Sequence, residues 1–241
     1  RHLPEAPALL PSADMKTLRR LLAASFVAVA TAATAPATAA ETVIPLPAAS
    51  TRLAIRAARM IDGRSERLHR EAVVIVEGER IVAVGGNELL TPGLETLDLG
   101  DATLMPGLVD AHSHPLITVD DYQTDHLRHS SAYKALRGLK AVQDNLRAGW
   151  TTLRIAGDAD VAYAVSDLRK AIDGGLFLGP RLSGAAHYLS TTGGGGDINF
   201  LAPEVHVAAD GRIADGVDEV RKAVREEIKY GSDWVKLLVT G

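Results

Sequence analysis

From residue 104 onward the sequence alternates short apolar runs with helical stretches, and this alternation restricts the fold more than any other feature. Residues 104–109 read as a buried strand, 151–156 as a second, 181–186 as a third and 234–239 as a fourth. Between them, 134–147 carries Leu136, Leu139, Val142 and Leu146 at helical spacing, with Gly149 where a helix end favours glycine. The stretch 161–172 repeats this with Val165, Leu168 and Ile172, then Gly174; 217–230 does so with Val217, Val220, Val224 and Ile228, then Gly231. Strands separated by helical crossovers pair in parallel, because a parallel neighbour needs a long return connection. Such units build half of a (β/α)8 barrel or part of a doubly wound sheet. No Gly-x-Gly-x-x-Gly follows the first strand, which counts against a dinucleotide site. In a barrel, functional residues gather at the C-terminal strand ends, and the polar oddities of this chain fall there.

Upstream, residues 51–103 hold short strand-like runs separated by turn signals: 53–55, 72–76, 80–85 and 97–99, the middle two close enough for a hairpin. This predicts a small β domain, expected as a sandwich, that is too small to stand comfortably alone. Residues 41–50 are rich in Pro and Ala and read as a linker. Residues 15–40 have a basic head, an uncharged apolar run and an Ala-x-Ala ending, the pattern of a cleaved secretory signal. The apolar run is shorter than the roughly 20 residues that span a bilayer, so no membrane association is expected after cleavage, and the location is periplasmic or secreted. Residues 1–14 show no periodicity and read as an upstream extension. The chain also stops at Gly241, directly after an apolar run, and both edges suggest part of a longer reading frame.

Composition narrows the partners. A net charge of −4 and an aromatic content of 4% give no basic surface or stacking platform for nucleic acid. There are no cysteines, so thiolate metal sites and cysteine nucleophiles are excluded. A small-molecule substrate remains, and a homo-oligomer stays open.

The chemistry concentrates in Met105-Pro106-Gly107-Leu108-Val109-Asp110-Ala111-His112-Ser113-His114. Strand side chains repeat every two residues, so His112 and His114 share a side at the end of an apolar strand. Two neighbouring imidazoles there can chelate a zinc-like cation. The plainer alternative is two loop histidines, one hydrogen-bonded to Asp110.

This stretch resembles the first barrel strand of the amidohydrolase superfamily, in its imidazolonepropionase-like and Xaa-Pro-dipeptidase-like branch. Gly149-Trp150-Thr151-Thr152-Leu153-Arg154 is similar to the second strand. Gly179-Pro180-Arg181 with Thr192-Gly193-Gly194 is similar to the third, and Ser232-Asp233-Trp234-Val235-Lys236 to the fourth. The resemblance covers most of the chain from residue 52. It implies an α/β fold in which 104–241 form the first half of a (β/α)8 TIM barrel. It also implies metal-dependent hydrolysis of a C–N amide bond in a small molecule such as a dipeptide. Two divalent cations, of which zinc is the expected metal, would be held by His112, His114 and a carboxylated Lys236, with a hydroxide between them as nucleophile. Two further histidines and an acid–base aspartate would come from later strands, the aspartate from beyond Gly241. None of these three groups lies within residues 1–241, so this polypeptide alone is expected to be inactive.

Lys236 has a physical argument of its own. A strand buried on both faces penalises an ammonium, and burial favours the neutral amine that can add carbon dioxide. The alternative is a lysine that snorkels out or pairs with a carboxylate. His187 and Tyr188, ending the third strand, are candidates to line a substrate pocket, with packing roles equally open. His126 and His129 read as surface residues. Gly195 stands where relatives carry histidine, and Ile155 where they carry aspartate. The glycines at 193–196 read either as a mobile loop or as backbone approaching a ligand. A deaminase or lactonase of the same superfamily, and a periplasmic binding protein that kept the fold without catalysis, remain alternatives.

Overall fold

The computed structural model describes residues 52–239, and over them the chain is mixed α/β. The segments read as upstream extension, export signal and linker lie outside the described residues. So does Gly241, the position beyond which the acid–base aspartate is expected.

The first five strands are β1 (Arg52–Ile61), β2 (Leu68–Glu77), β3 (Arg80–Gly85), β4 (Glu95–Asp98) and β5 (Thr103–Leu104). They form one mixed sheet in the order β3-β2-β1-β4. Strands β1, β2 and β3 are antiparallel neighbours, while β4 and β5 both run parallel to β1. The expected sandwich is therefore corrected to a single sheet among the described residues. One face buries Ala54, Val73 and Ile75 under Leu89, Leu90 and Leu94 of the connection between β3 and β4. That connection, rather than a second sheet, removes this face from water. The other face gathers Met60, Ala72 and Val74 but leaves Ile61, Ile81 and Val84 largely exposed.

The rest of the chain supplies β6 (Leu108–Ser113), α1 (Tyr122–Arg128), α2 (Ser131–Arg147), β7 (Trp150–Ala156), α3 (Ala164–Asp173) and β8 (Arg181–Ala185). It continues with β9 (Tyr188–Ser190), β10 (Arg212–Ile213), α4 (Val217–Lys229) and β11 (Lys236–Leu237). Strands β6, β7 and β8 pair in parallel in that order, and β9 pairs in parallel with both β10 and β11. The predicted third strand, 181–186, is β8, and the chain breaks at Ala186 and His187 before β9. Elements α1, β9 and β10 have no counterpart in the sequence reading, because each is too short to leave a periodic signal.

Alternation along β7 sorts its side chains. Leu153 and Ile155 face the helices and pack with Leu116, Val142, Val165, Leu168 and Leu182, while Thr152, Arg154 and Ala156 project from the opposite face of the strand. Three burial expectations fail. Strand β6 is not buried, since Val109 is 61% exposed. On α2 the buried residues are Lys134, Gly138 and Val142, and Leu136 faces water. On α4, Val217 and Ile228 are exposed, because the helix docks through Val220, Ala223 and Val224 against Leu189 and Ala214. The helix ends follow local chemistry. Ser130 caps α2 by accepting from the Tyr133 N–H, and Gly149 takes the left-handed φ of +95° that turns the chain into β7. No described helix is long and apolar enough to cross a membrane.

Candidate active site

His112 lies on β6 and His114 just beyond it. Their Nε2 atoms approach to 3.1 Å, with ring centroids 5.1 Å apart. His114 Nδ1 lies 2.6 Å from the Gly157 carbonyl oxygen. A carbonyl only accepts, so Nδ1 carries the hydrogen and Nε2 keeps its lone pair. Burial, partly offset by that carbonyl, holds the His114 pKa below the usual histidine value, so the ring is neutral at pH 7. Without a cation, His112 can donate its Nε2–H to His114. Two nitrogens bound at roughly 2.0–2.1 Å in a tetrahedral zinc site would be separated by roughly 3.3 Å, so the observed spacing suits a shared ion. Asp110 accepts the His112 backbone N–H at 2.9 Å; it binds this main-chain group, not the ring.

Lys236 reaches the same place from β11. A cleft of about 220 Å³ is lined by His112, Ala111, Arg154, Ala185, Trp234 and Lys236. Arg154 donates to the Ala111 carbonyl at 2.8 Å and lies under the Trp234 ring, whose Nε1–H donates to Ser183. The doubly buried strand expected around Lys236 is corrected. Trp234, Val235, Leu237 and Val239 are each at least 42% exposed and Lys236 is half-buried. The cause is that β11 is two residues long and, among the described residues, pairs along one edge only, with β9. The desolvation argument for its amine therefore lacks the burial it assumed. Among the described residues no three His, Cys, Asp or Glu side chains are grouped to hold a metal, so the site comprises two imidazoles and an amine. The remaining groups that the resemblance implies, including the aspartate expected beyond Gly241, are not part of it.

His187 and Tyr188 do not line this cleft. Both are buried: His187 Nδ1 bonds to Glu227 at 2.8 Å, and the Tyr188 hydroxyl donates to Asp210 at 2.6 Å. His187 lies in the packed break between β8 and β9, where Tyr163 stands edge-on to its ring, and Tyr188 opens β9. Burial alone would raise Glu227; bonding to His187 and to the Ser232 hydroxyl outweighs it and keeps Glu227 below the usual carboxylate range. His126 is also corrected. It is buried, accepting from Lys134 Nζ at 3.1 Å while its Nε2 donates to the Ala208 carbonyl. His129 is half-buried beside Asp125 and Tyr133. The glycine loop is stitched to itself: Asp197 accepts from the Gly193 and Ile198 N–H groups, Asp215 from Thr192, and Ser190 from Gly196. Its backbone donors are largely spent within the chain, which favours neither of the loop readings.

The sequence reading missed Asp158. It is fully buried beyond β7, accepts the Leu116 N–H at 3.0 Å through Oδ2, and has no partner for Oδ1. Desolvation pushes its pKa up to about 8. Its place, two residues after the apolar β7 on the side where barrels gather function, marks the segment but does not tell that the acid is buried.

Residues 103–241 match the model of the Amidohydrolase family. The chain is 33% identical over 210 residues to an ochratoxinase of Aspergillus niger, covering 78% of this chain and 42% of that protein. It is 38% identical over 53 residues to an imidazolonepropionase of Fusobacterium nucleatum, covering 20% of this chain and 13% of that protein. The solved structure of a prolidase complexed with N-methylphosphonate-L-proline superposes with a TM-score of 0.68 at 31% identity, covering 78% of this chain and 46% of that one. The chain spans less than half the length of these relatives.

Proposed function

The chain belongs to the amidohydrolase family, and on that premise we propose that it forms the opening half of a (β/α)8 barrel in a metal-dependent hydrolase that cleaves an amide C–N bond of a small molecule such as a dipeptide. The observation that carries this reading is the convergence of the His112 and His114 Nε2 atoms beside the cleft that Lys236 also lines. The prolidase and ochratoxinase likenesses support an amide bond to an amino acid as the substrate class. His112 and His114 would hold divalent cations, with zinc the metal their nitrogen donors suit. Lys236 would join them as a carbamate, formed when its neutral amine adds carbon dioxide and releases one proton. Such cations, when bound, supply a nucleophilic hydroxide near neutral pH and polarise a carbonyl. The chain's own part is to present two imidazoles whose Nε2 atoms converge. His114 is kept neutral by burial and aimed by the Gly157 carbonyl. The acid–base aspartate would be supplied by sequence following Gly241. Export to the periplasm or beyond remains part of the proposal and rests on residues 15–40.

The test is metal analysis of the protein produced from its complete gene, followed by a screen of dipeptides, lactones and aminated heterocycles. We expect bound zinc, and dipeptide hydrolysis that chelation abolishes and zinc restores. Hydrolysis indifferent to chelation would contradict the proposal, and turnover confined to lactones or amines would move it to the alternative reactions of the same scaffold.

A further inference from the structure

We propose that Asp158 is the positioning residue for His114, its carboxyl holding the turn whose carbonyl fixes the tautomer and direction of that imidazole. The inference rests on the reading of His114 as a metal ligand. Three bonds carry it. Asp158 Oδ2 accepts the Leu116 N–H at 3.0 Å, two residues beyond His114. The Asp158 N–H donates to the Ala186 carbonyl at 2.9 Å, beyond β8. Between these anchors, the Gly157 carbonyl is left facing His114 Nδ1 at 2.6 Å. Asp158 thus binds the chain beyond β6, β7 and β8 at one point, and the imidazole hangs from the residue before it.

Neighbouring geometry leaves this turn little freedom. Gly157 adopts φ +82°, and a Cβ there would stand 2.5 Å from the Tyr188 nitrogen. Asp158 itself has no exposed surface. Lost acceptance at Leu116 would free the segment after His114 from β7, and the ring would no longer be aimed by two strands at once. Partners that orient a metal-bound histidine typically contribute 10- to 100-fold in metal affinity, which sets the effect to look for.

The experiment uses the 241-residue chain, with Asp158→Ala, Asp158→Asn and Val73→Ala variants. Nitrogen-15 NMR of the metal-free protein reads the His114 tautomer, and cobalt(II) titration followed by visible absorption reads metal binding. Asparagine keeps an acceptor for Leu116, so Asp158→Asn retains the Nδ1–H tautomer, whereas Asp158→Ala mixes the tautomers and binds cobalt roughly 10- to 100-fold more weakly. Val73→Ala opens a cavity in the core of the first sheet, away from this turn, so it lowers stability and leaves the His114 tautomer unchanged. An unmixed tautomer in Asp158→Ala, or mixing in Val73→Ala as well, overturns the proposal. If Asp158→Ala does not fold, hydrogen exchange of the unaltered chain decides. Protection of the Leu116 amide comparable to the β6–β7 ladder supports the role, and fast exchange overturns it. Failure of the unaltered chain to bind cobalt would count against the metal-ligand reading, while the tautomer still decides the role of Asp158.

Discussion

Gly157 and Asp158 show how much of the site depends on two residues that carry no obvious chemistry. Replacing Gly157 with alanine puts a Cβ against the Tyr188 nitrogen at a left-handed φ. Strain of this kind costs on the order of 1–3 kcal/mol, so urea denaturation of Gly157→Ala should show a loss in that range; an unchanged midpoint would contradict the tight turn. Asp158 gives a pH signature. Its carboxyl holds a proton in the folded chain up to about pH 8, while the unfolded chain releases it near 4. The folded state therefore binds the extra proton between those values, and stability falls as pH rises through that window. Asp158→Asn removes this slope, which denaturation at pH 5.5, 7 and 8.5 measures. A wild-type slope no steeper than that of the asparagine variant would show that the carboxyl is not held neutral. At this scale the histidine pair was legible because two-residue alternation places both rings on one side of a strand. Asp158 was not, because nothing in Gly157-Asp158-Ala159-Asp160 tells that its acids are buried.

Among the elements, α1 and α2 are joined through a charge the sequence pattern hides. Lys134, on the buried face of α2, bonds to Asp160 and to the Ala159 carbonyl, each at 2.9 Å, and to His126 of α1 at 3.1 Å. These three acceptors use all three ammonium hydrogens, which is what makes the burial tolerable. Removing the lysine leaves Asp160, its side chain 2% exposed, without its cation. Lys134→Met should therefore cost about 3–5 kcal/mol in urea denaturation. Lys140→Met, whose partner Asp144 sits in solvent, should change nothing measurable. Equal effects at the two sites would contradict the burial argument. Periodicity located three of the four described α-helices, since burial of one face writes itself into spacing, and apolar runs marked β7 and β8, while the run at 104–109 meets β6 only at its last two residues. It misassigned which residues face inward on α2 and α4, because Leu136 and Ile228 sit where no neighbour covers them while Lys134 and Glu227 are inside. An apolar count cannot register charges satisfied by partners distant in sequence.

Over the whole molecule, one mixed sheet is followed by parallel strands whose ends bring His112 and the Lys236 strand to a common cleft, with the His114 ring beside His112. The family and the parallel pairing of strands joined by helices were legible in the sequence. The exposure around Lys236 was not, because an apolar run signals what a strand can bury, and among the described residues β11 meets a neighbour on one edge only. The most direct measurement is anomalous diffraction from crystals of the chain grown with zinc. The account predicts a peak within bonding distance, roughly 2.0–2.1 Å, of the Nε2 atoms of both His112 and His114, facing the cleft of Lys236. A zinc peak bound elsewhere, with those two nitrogens still hydrogen-bonded to each other, would contradict it.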